Sequence, residues 1–229
     1  VTAASIITEP LPVVRGGFRG VIADPPWQYS AGQATRIKPR YPTLTVDQLA
    51  ALPVRSLVAD QALMACWVTS SFLEEGLRLL PAWGFQYKTT AVWVKGTGSL
   101  VLGSTEVAEL FAEASTLVDS AKKFAAALRA VVQAHAKLTL QIGMGSYVRS
   151  AHELVLIGSR GGLTAHEAAR DVPSVFVAPR GEHSVKPQAL HQAMERLVPG
   201  GPYLELFARR RRRGWVTWGN DQEVASGVA

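Results

Sequence analysis

Asp24 follows the apolar run Val21-Ile22-Ala23 and precedes Pro25, Pro26 and Trp27. Pro25 locks its own φ and pushes Asp24 into the extended region, and Pro26 does the same to Pro25. The chain therefore leaves a short buried strand as a stiff corner. The prolines bring no N–H groups, so carbonyl acceptors dominate there. A carboxylate beside rigid carbonyls and a flat indole is an acceptor site next to an aromatic face. It suits a planar base with an exocyclic amine, which donates two hydrogen bonds while the ring stacks. The same residues also allow a plain loop in which Asp24 caps a neighbour and Trp27 fills the core.

The elements that position this corner follow from hydrophobic patterning. Thr45 is an N-cap for a short helix over 46–52, ended by Pro53. Residues 62–68 are a continuous apolar strand. A helix starts at Ser70 or Ser71, with Leu73, Leu77 and Leu80 on its inner face. Further strands are expected at 87–94, 154–157, 175–177, 203–207 and 215–218. A helix over 186–197 turns Leu190, Met194 and Leu197 inward and ends at Pro199-Gly200-Gly201. Strands alternating with helices predict an α/β fold with a mainly parallel sheet.

Composition narrows the partners. Lys+Arg 24 against Asp+Glu 18 gives a net charge of +6, which suits a polyanion. The single cysteine, Cys66, lies in an apolar run and reads as a buried, inert thiol; it excludes an internal disulfide and a cysteine metal site. No apolar run approaches the ~20 residues of a membrane span. No basic stretch followed by an apolar core opens the chain, so a cytoplasmic protein without a signal peptide is expected. Residues 30–42 form a long polar loop with Arg36, Lys38 and Arg40, placed to contact substrate.

Residues 104–140 break the α/β pattern. Val107, Leu110, Ala114, Leu117, Ala121, Phe124, Leu128 and Val131 recur every three then four residues. Acidic residues dominate the first half and basic residues the second, so two copies would pair well antiparallel. A homodimer built at least partly on this stripe is expected, with packing on its own domain, a hairpin with its own second half, or nucleic-acid recognition as the alternatives.

The Asp-Pro-Pro-Trp corner resembles the motif of the DPPW adenine-N6 methyltransferases, the MT-A-seventy (MT-A70) family. Further segments resemble family elements in the family's order. They are Tyr41-Pro42-Thr43-Leu44, Gly143 to Glu153, His183-Ser184-Val185-Lys186-Pro187, Glu205-Leu206-Phe207-Ala208-Arg209, Gly214-Trp215 and Trp218-Gly219-Asn220-Asp221. The resemblance covers 18–221 outside the insertion. It implies a Rossmann-like S-adenosylmethionine-dependent methyltransferase fold with helices on both faces of the sheet. It also implies a circular permutation that puts the catalytic corner before the cofactor elements. One domain then spans 1–229, with a helical insertion at 98–142.

The implied cofactor is S-adenosyl-L-methionine. Its implied binding set is Asp24, His183, Ser184, Lys186, Glu205, Phe207, Arg209, Asn220 and Asp221. Lys186 would hold the cofactor carboxylate, and Arg209 and Asn220 its ribose hydroxyls. Asp221 stands where a Glu or Gln is usual. Asp24, Pro25, Pro26 and Trp27 are the implied catalytic corner. Tyr29, Tyr41, Tyr147 and Arg149 join Trp27 and the basic loop as substrate contacts. No metal is implied. The expected activity is methyl transfer to the N6 amine of adenine in nucleic acid, with DNA favoured. The alternatives are an RNA adenine methyltransferase and a nucleic-acid-binding pseudo-methyltransferase that supports an active partner.

Overall fold

The computed structural model describes residues 10–29, 42–97, 139–143, 147–164, 169–181 and 185–219. The basic loop with Arg36, Lys38, Arg40 and Tyr41 lies outside these residues, as do His183, Ser184, Asn220, Asp221 and the heptad stripe up to residue 138. The strands are β1 (Phe18–Ala23), β2 (Val58–Val68), β3 (Gln86–Thr97), β4 (Thr139–Leu140), β5 (His152–Arg160), β6 (Val175–Ala178), β7 (Tyr203–Leu206) and β8 (Trp215–Trp218). The chain divides into two compact units, the first drawn from Val1–Val92, Glu153–Ser174 and Gln188–Ala229, the second from Trp93–His152 and Val175–Pro187.

In the first unit β1 lies between β2 and β7, parallel to both, and β8 runs parallel beyond β7. β5 pairs antiparallel with the far side of β2, so the sheet is mixed rather than uniformly parallel. Val21 and Ala23 sit opposite Met64 and Cys66 on β2 and opposite Leu204 and Leu206 on β7. These residues form one apolar layer with Leu79 and Leu80 from the Leu73–Ala82 helix and with Trp83 at its C-cap. Side chains alternate along a strand, so Gly20 and Ile22 face the other way. There the Ala189–Leu197 helix packs on β1, with Met194 over Gly20. The sheet is thus covered on both faces, which explains the apolar character of β1 from Gly20 and of β2 from Ala62 onward.

Local signals read correctly where they rest on local chemistry. The Thr45 hydroxyl accepts from the Gln48 N–H at 3.2 Å, and the Gln48 side chain accepts from the Thr45 N–H at 2.9 Å, a reciprocal capping box. The helix it starts is Val46–Ala50, shorter than expected, because the residue before Pro53 is steered out of helical φ/ψ. The inner face of the Leu73–Ala82 helix differs from the expected one. Leu77 is 39% exposed, while Gly76, Leu79 and Leu80 are buried. At Gly76 a Cβ would stand 2.5 Å from Val68, so the bare backbone sets the close approach to β2 and rotates Leu77 outward. The last helix begins at Ala189 rather than 186, and it buries Leu190, His191 and Met194, with Leu197 only partly covered.

The second unit is built on the continuation of β3. β4 pairs antiparallel with its end, Gly96 opposite Leu140, and β6 also pairs with β3. The Trp93 indole N–H donates to the Ala178 carbonyl at 2.9 Å, and the Lys95 ammonium lies 5.3 Å from the Trp93 ring centre. Among the described residues no helix is long and apolar enough to cross a membrane.

Candidate active site

The four parallel strands β2, β1, β7 and β8 end at one level, because Ala23 pairs with both Cys66 and Leu206, and Leu206 with Trp218. After β1 the chain goes to β2 on one side, and it later returns at β7 on the other. The carboxyl end of β1 is therefore a topological switch point, where open α/β sheets leave a crevice for ligands. Asp24 sits at that end.

The corner is fastened on several sides. The Asp24 N–H donates to the Leu206 carbonyl at 3.3 Å, which ties the corner to β7. The Leu44 N–H donates to Pro26 at 2.8 Å, and the Gln28 N–H donates to Leu44 at 3.1 Å. Trp27 is 8% exposed, stacks on Phe72 at 5.3 Å and donates its indole N–H to the Trp67 carbonyl at 3.3 Å. It therefore fills the core and anchors the corner. Tyr29 meets the same Phe72 edge-on at 4.8 Å and is the less buried of the two aromatics. The Pro25 carbonyl already accepts the Trp27 N–H at 2.9 Å, so one of its two lone pairs remains for a ligand. Asp24 itself is only partly covered.

Asp24 leaves a mark on Cys66, the partner of Ala23 in β2. Burial pushes the Cys66 thiol far above its ordinary range, and the Asp24 charge raises it further. A raised thiol pKa leaves almost no thiolate at neutral pH, and the thiolate is the nucleophile. The folded protein is thus expected to resist alkylation by iodoacetamide at pH 8 and to react on unfolding. Rapid labelling of the native state would contradict the placement.

Glu205 lies on β7 opposite Ile22, facing the Ala189–Leu197 helix, while Leu204 and Leu206 point into the opposite layer. Its Oε2 is 2.8 Å from His191 Nε2. His191 is a residue that periodicity did not single out; its position beside Leu190 on the buried face was the available signal.

Phe207 is one of the residues that the resemblance assigns to the cofactor. It is buried between Trp83, 6.4 Å away, and Trp218, 5.6 Å away, so its side chain belongs to the core. Its backbone is left-handed, φ 63°, a conformation costly for a bulky residue and often found at functional sites. That turn brings the Ala208 N–H to the Trp218 carbonyl at 3.0 Å, so β7 and β8 leave the sheet together. Gly219 permits this, since a Cβ there would stand 2.6 Å from the Ala208 nitrogen. Gly219→Ala is expected to cost ~2 kcal/mol or more in a denaturant melt, as overpacking against backbone does; an unchanged midpoint would refute the contact.

Arg209 follows as a partly buried residue, and Arg210, Arg211 and Arg213 are exposed. The structure thus gathers Asp24, Pro25, Pro26, Trp27, Tyr29, Glu205, Phe207 and Arg209 on the loops and strand ends of the first unit. Lys186, Tyr147 and Arg149 belong to the second. There Lys186 is half-buried, Tyr147 is fully exposed, and Arg149 donates to the Gly143 carbonyl at 3.3 Å. Among the described residues no group of histidine, cysteine or carboxylate side chains is arranged to hold a metal.

Comparison with known proteins gives a consistent result. The chain is 27% identical over 225 residues to the Type II methyltransferase M.MunI of Mycoplasma sp, covering 90% of this chain and 78% of that protein. It is 29% identical over 220 residues to the human N(6)-adenine-specific methyltransferase METTL4, covering 93% of this chain and 39% of the relative. It is 25% identical over 209 residues to METTL3, the human N(6)-adenosine-methyltransferase catalytic subunit, covering 90% of this chain and 28% of that one. The chain thus spans most of the first relative and well under half of the two human ones. The MT-A70 family profile matches residues 18–114 and 127–221, its interruption falling within the 98–142 stretch. With the Asp24 corner at the head of that match and the β7–β8 strand ends at its close, the chain belongs to the MT-A70 family.

Proposed function

We propose that the chain transfers a methyl group from S-adenosylmethionine to the N6 amine of adenine in nucleic acid. The observation that carries this reading is the carboxylate of Asp24 at the switch point of the parallel sheet, on a corner braced by β7, Leu44, Trp67 and Phe72. The donor set fits the cofactor. Glu205 brings a partly buried carboxylate with one oxygen held by His191, which suits hydroxyl donors of a ribose. Arg209 lies at the same sheet edge, and roles for Lys186, His183, Ser184, Asn220 and Asp221 are carried over from the family motif.

When bound, the cofactor supplies an electrophilic methyl on a sulfonium. The chain's own work is acceptance and alignment. The adenine amine is a weak nucleophile because its lone pair is delocalised into the ring. Asp24 and the remaining lone pair of Pro25 accept its two N–H groups. This localises the nitrogen lone pair and aims it. The nitrogen loses one proton as the new bond forms, and Asp24 is the acceptor at hand. Tyr29, with Tyr41 and the basic loop, would hold the base and its backbone; in a duplex the base is first turned out of the stack.

DNA is the favoured polymer, and a cytoplasmic location goes with it. The support is the match over most of a Type II methyltransferase, together with the exposed arginines after β7. Incubating the protein with labelled cofactor and with DNA or RNA, then analysing nucleosides by mass spectrometry, tests the reading. Labelled N6-methyladenine from DNA is expected. Label in RNA alone would move the substrate, and cofactor binding without transfer would make the chain a pseudo-methyltransferase.

The circular permutation, the single domain over 1–229 and the helical insertion at 98–142 are part of the same proposal, supported by the order of the family segments. The heptad stripe supports a homodimer. Sedimentation at tens of micromolar should show a dimer that becomes monomeric when Leu117 and Phe124 carry charges; a wild-type monomer would refute it.

A further inference from the structure

We propose that His191 is a positioning residue for the cofactor: its Nε2–H holds Glu205 so that the other carboxylate oxygen faces the ribose hydroxyls. The inference rests on the cofactor role given above to Glu205.

Glu205 occupies the middle of a four-residue strand, with its side chain 19% exposed. A carboxylate covered to that degree needs a donor. An ionised carboxylate only accepts, so the ring nitrogen 2.8 Å away carries the proton. The remaining ring nitrogen, Nδ1, is buried and has no hydrogen-bond partner among the described residues. A proton there would be a buried, unpaired donor, which is the costlier state. Both constraints place the ring proton on Nε2, where it donates to Glu205.

The ring cannot swing to another partner. Trp215 meets it edge-on at 4.9 Å, and Trp215 is itself held by its indole N–H on Glu195 at 2.7 Å and by Tyr203 stacked at 4.8 Å. A pair that served only to satisfy buried groups would satisfy both ring nitrogens. Among the described residues, this one satisfies the nitrogen that faces Glu205 and gives the other no partner. The geometry therefore serves the carboxylate.

A packing role and a positioning role predict opposite orders for two substitutions. His191→Phe keeps a flat ring against Trp215 and removes the donor. His191→Gln loses the ring and keeps an amide donor near the place of Nε2. Calorimetric titration with S-adenosylmethionine and with S-adenosylhomocysteine should show His191→Phe weakened about tenfold, the scale of a hydrogen bond to a charged group, with His191→Gln restored to near wild type. The same split should appear in KM for the cofactor, with kcat at saturation little changed. In a Glu205→Ala background, His191→Phe should cost nothing further. Wild-type affinity for His191→Phe, or a better result for Phe than for Gln, would overturn the proposal. Should His191→Phe fail to fold, nitrogen-15 spectra of histidine-labelled wild type decide, since a Nδ1–H tautomer would also overturn it. Glu205→Ala binding like wild type would strike the cofactor reading of Glu205 itself. Lost binding in Glu205→Ala with an unaffected His191→Phe strikes only the role of His191.

Discussion

Asp24→Ala is expected to lower the turnover number by ~10³-fold or more while the protein stays folded, because removing one preorganised electrostatic partner of a reacting group costs about 10²–10³ and this group also serves as the proton acceptor. Stability should fall by ~1 kcal/mol or less, as at a partly covered side chain. The backbone of the corner holds without the carboxyl, through the Asp24 N–H on Leu206 and the Leu44 N–H on Pro26. Asp24→Asn separates shape from charge. It keeps one acceptor and the size of the side chain but offers an amide where the second acceptor was. It should fall between alanine and wild type. Cofactor affinity should also fall in both, because Asp24 belongs to the implied cofactor set, but by less than turnover, since Glu205 on another strand keeps its hold. Single-turnover assays beside calorimetry separate the two. Wild-type turnover by a folded Asp24→Ala would end the mechanism.

What could be read in the chain follows the reach of each signal. The Asp24 corner was legible because proline acts on its own neighbours, and the Thr45 cap because it bonds three residues away. The second halves of β1 and β2 were legible because the runs Val21–Ala23 and Ala62–Val68 are apolar throughout. The face of the Leu73–Ala82 helix was not, since Leu77 satisfies the helical period as well as Leu79 does. What decides between them is Gly76 against Val68, a contact set by the fold. The antiparallel pairing of β5 is equally silent in local sequence. The Glu205–His191 bond joins a strand to a helix fourteen residues away, and only the register of β7 on β1 brings them together.

Trp27 shows the same limit at the centre of the site, because sequence offered both a stacking wall and a core plug. Its burial, its indole bond to Trp67 and its stacking on Phe72 show an anchor. Trp27→Ala should therefore destabilise the protein by about 3–5 kcal/mol, the range for deleting a large buried aromatic. Trp27→Phe keeps a ring against Phe72 and loses the indole bond, worth ~1 kcal/mol, plus some packing. Its loss should be well under that of alanine. Turnover should follow the same order for a different reason. The anchor fixes Asp24 from three residues away, and a displacement of about 1 Å at a reacting geometry costs on the order of 10² in rate. Measured where both variants remain folded, kcat should fall in the order wild type, Phe, Ala, while cofactor affinity stays close to wild type. Denaturant melts and steady-state kinetics on the same preparations make the check. If Trp27→Ala melts within about 1 kcal/mol of wild type, the indole is no anchor, and the stacking wall becomes the better account of why an aromatic stands there.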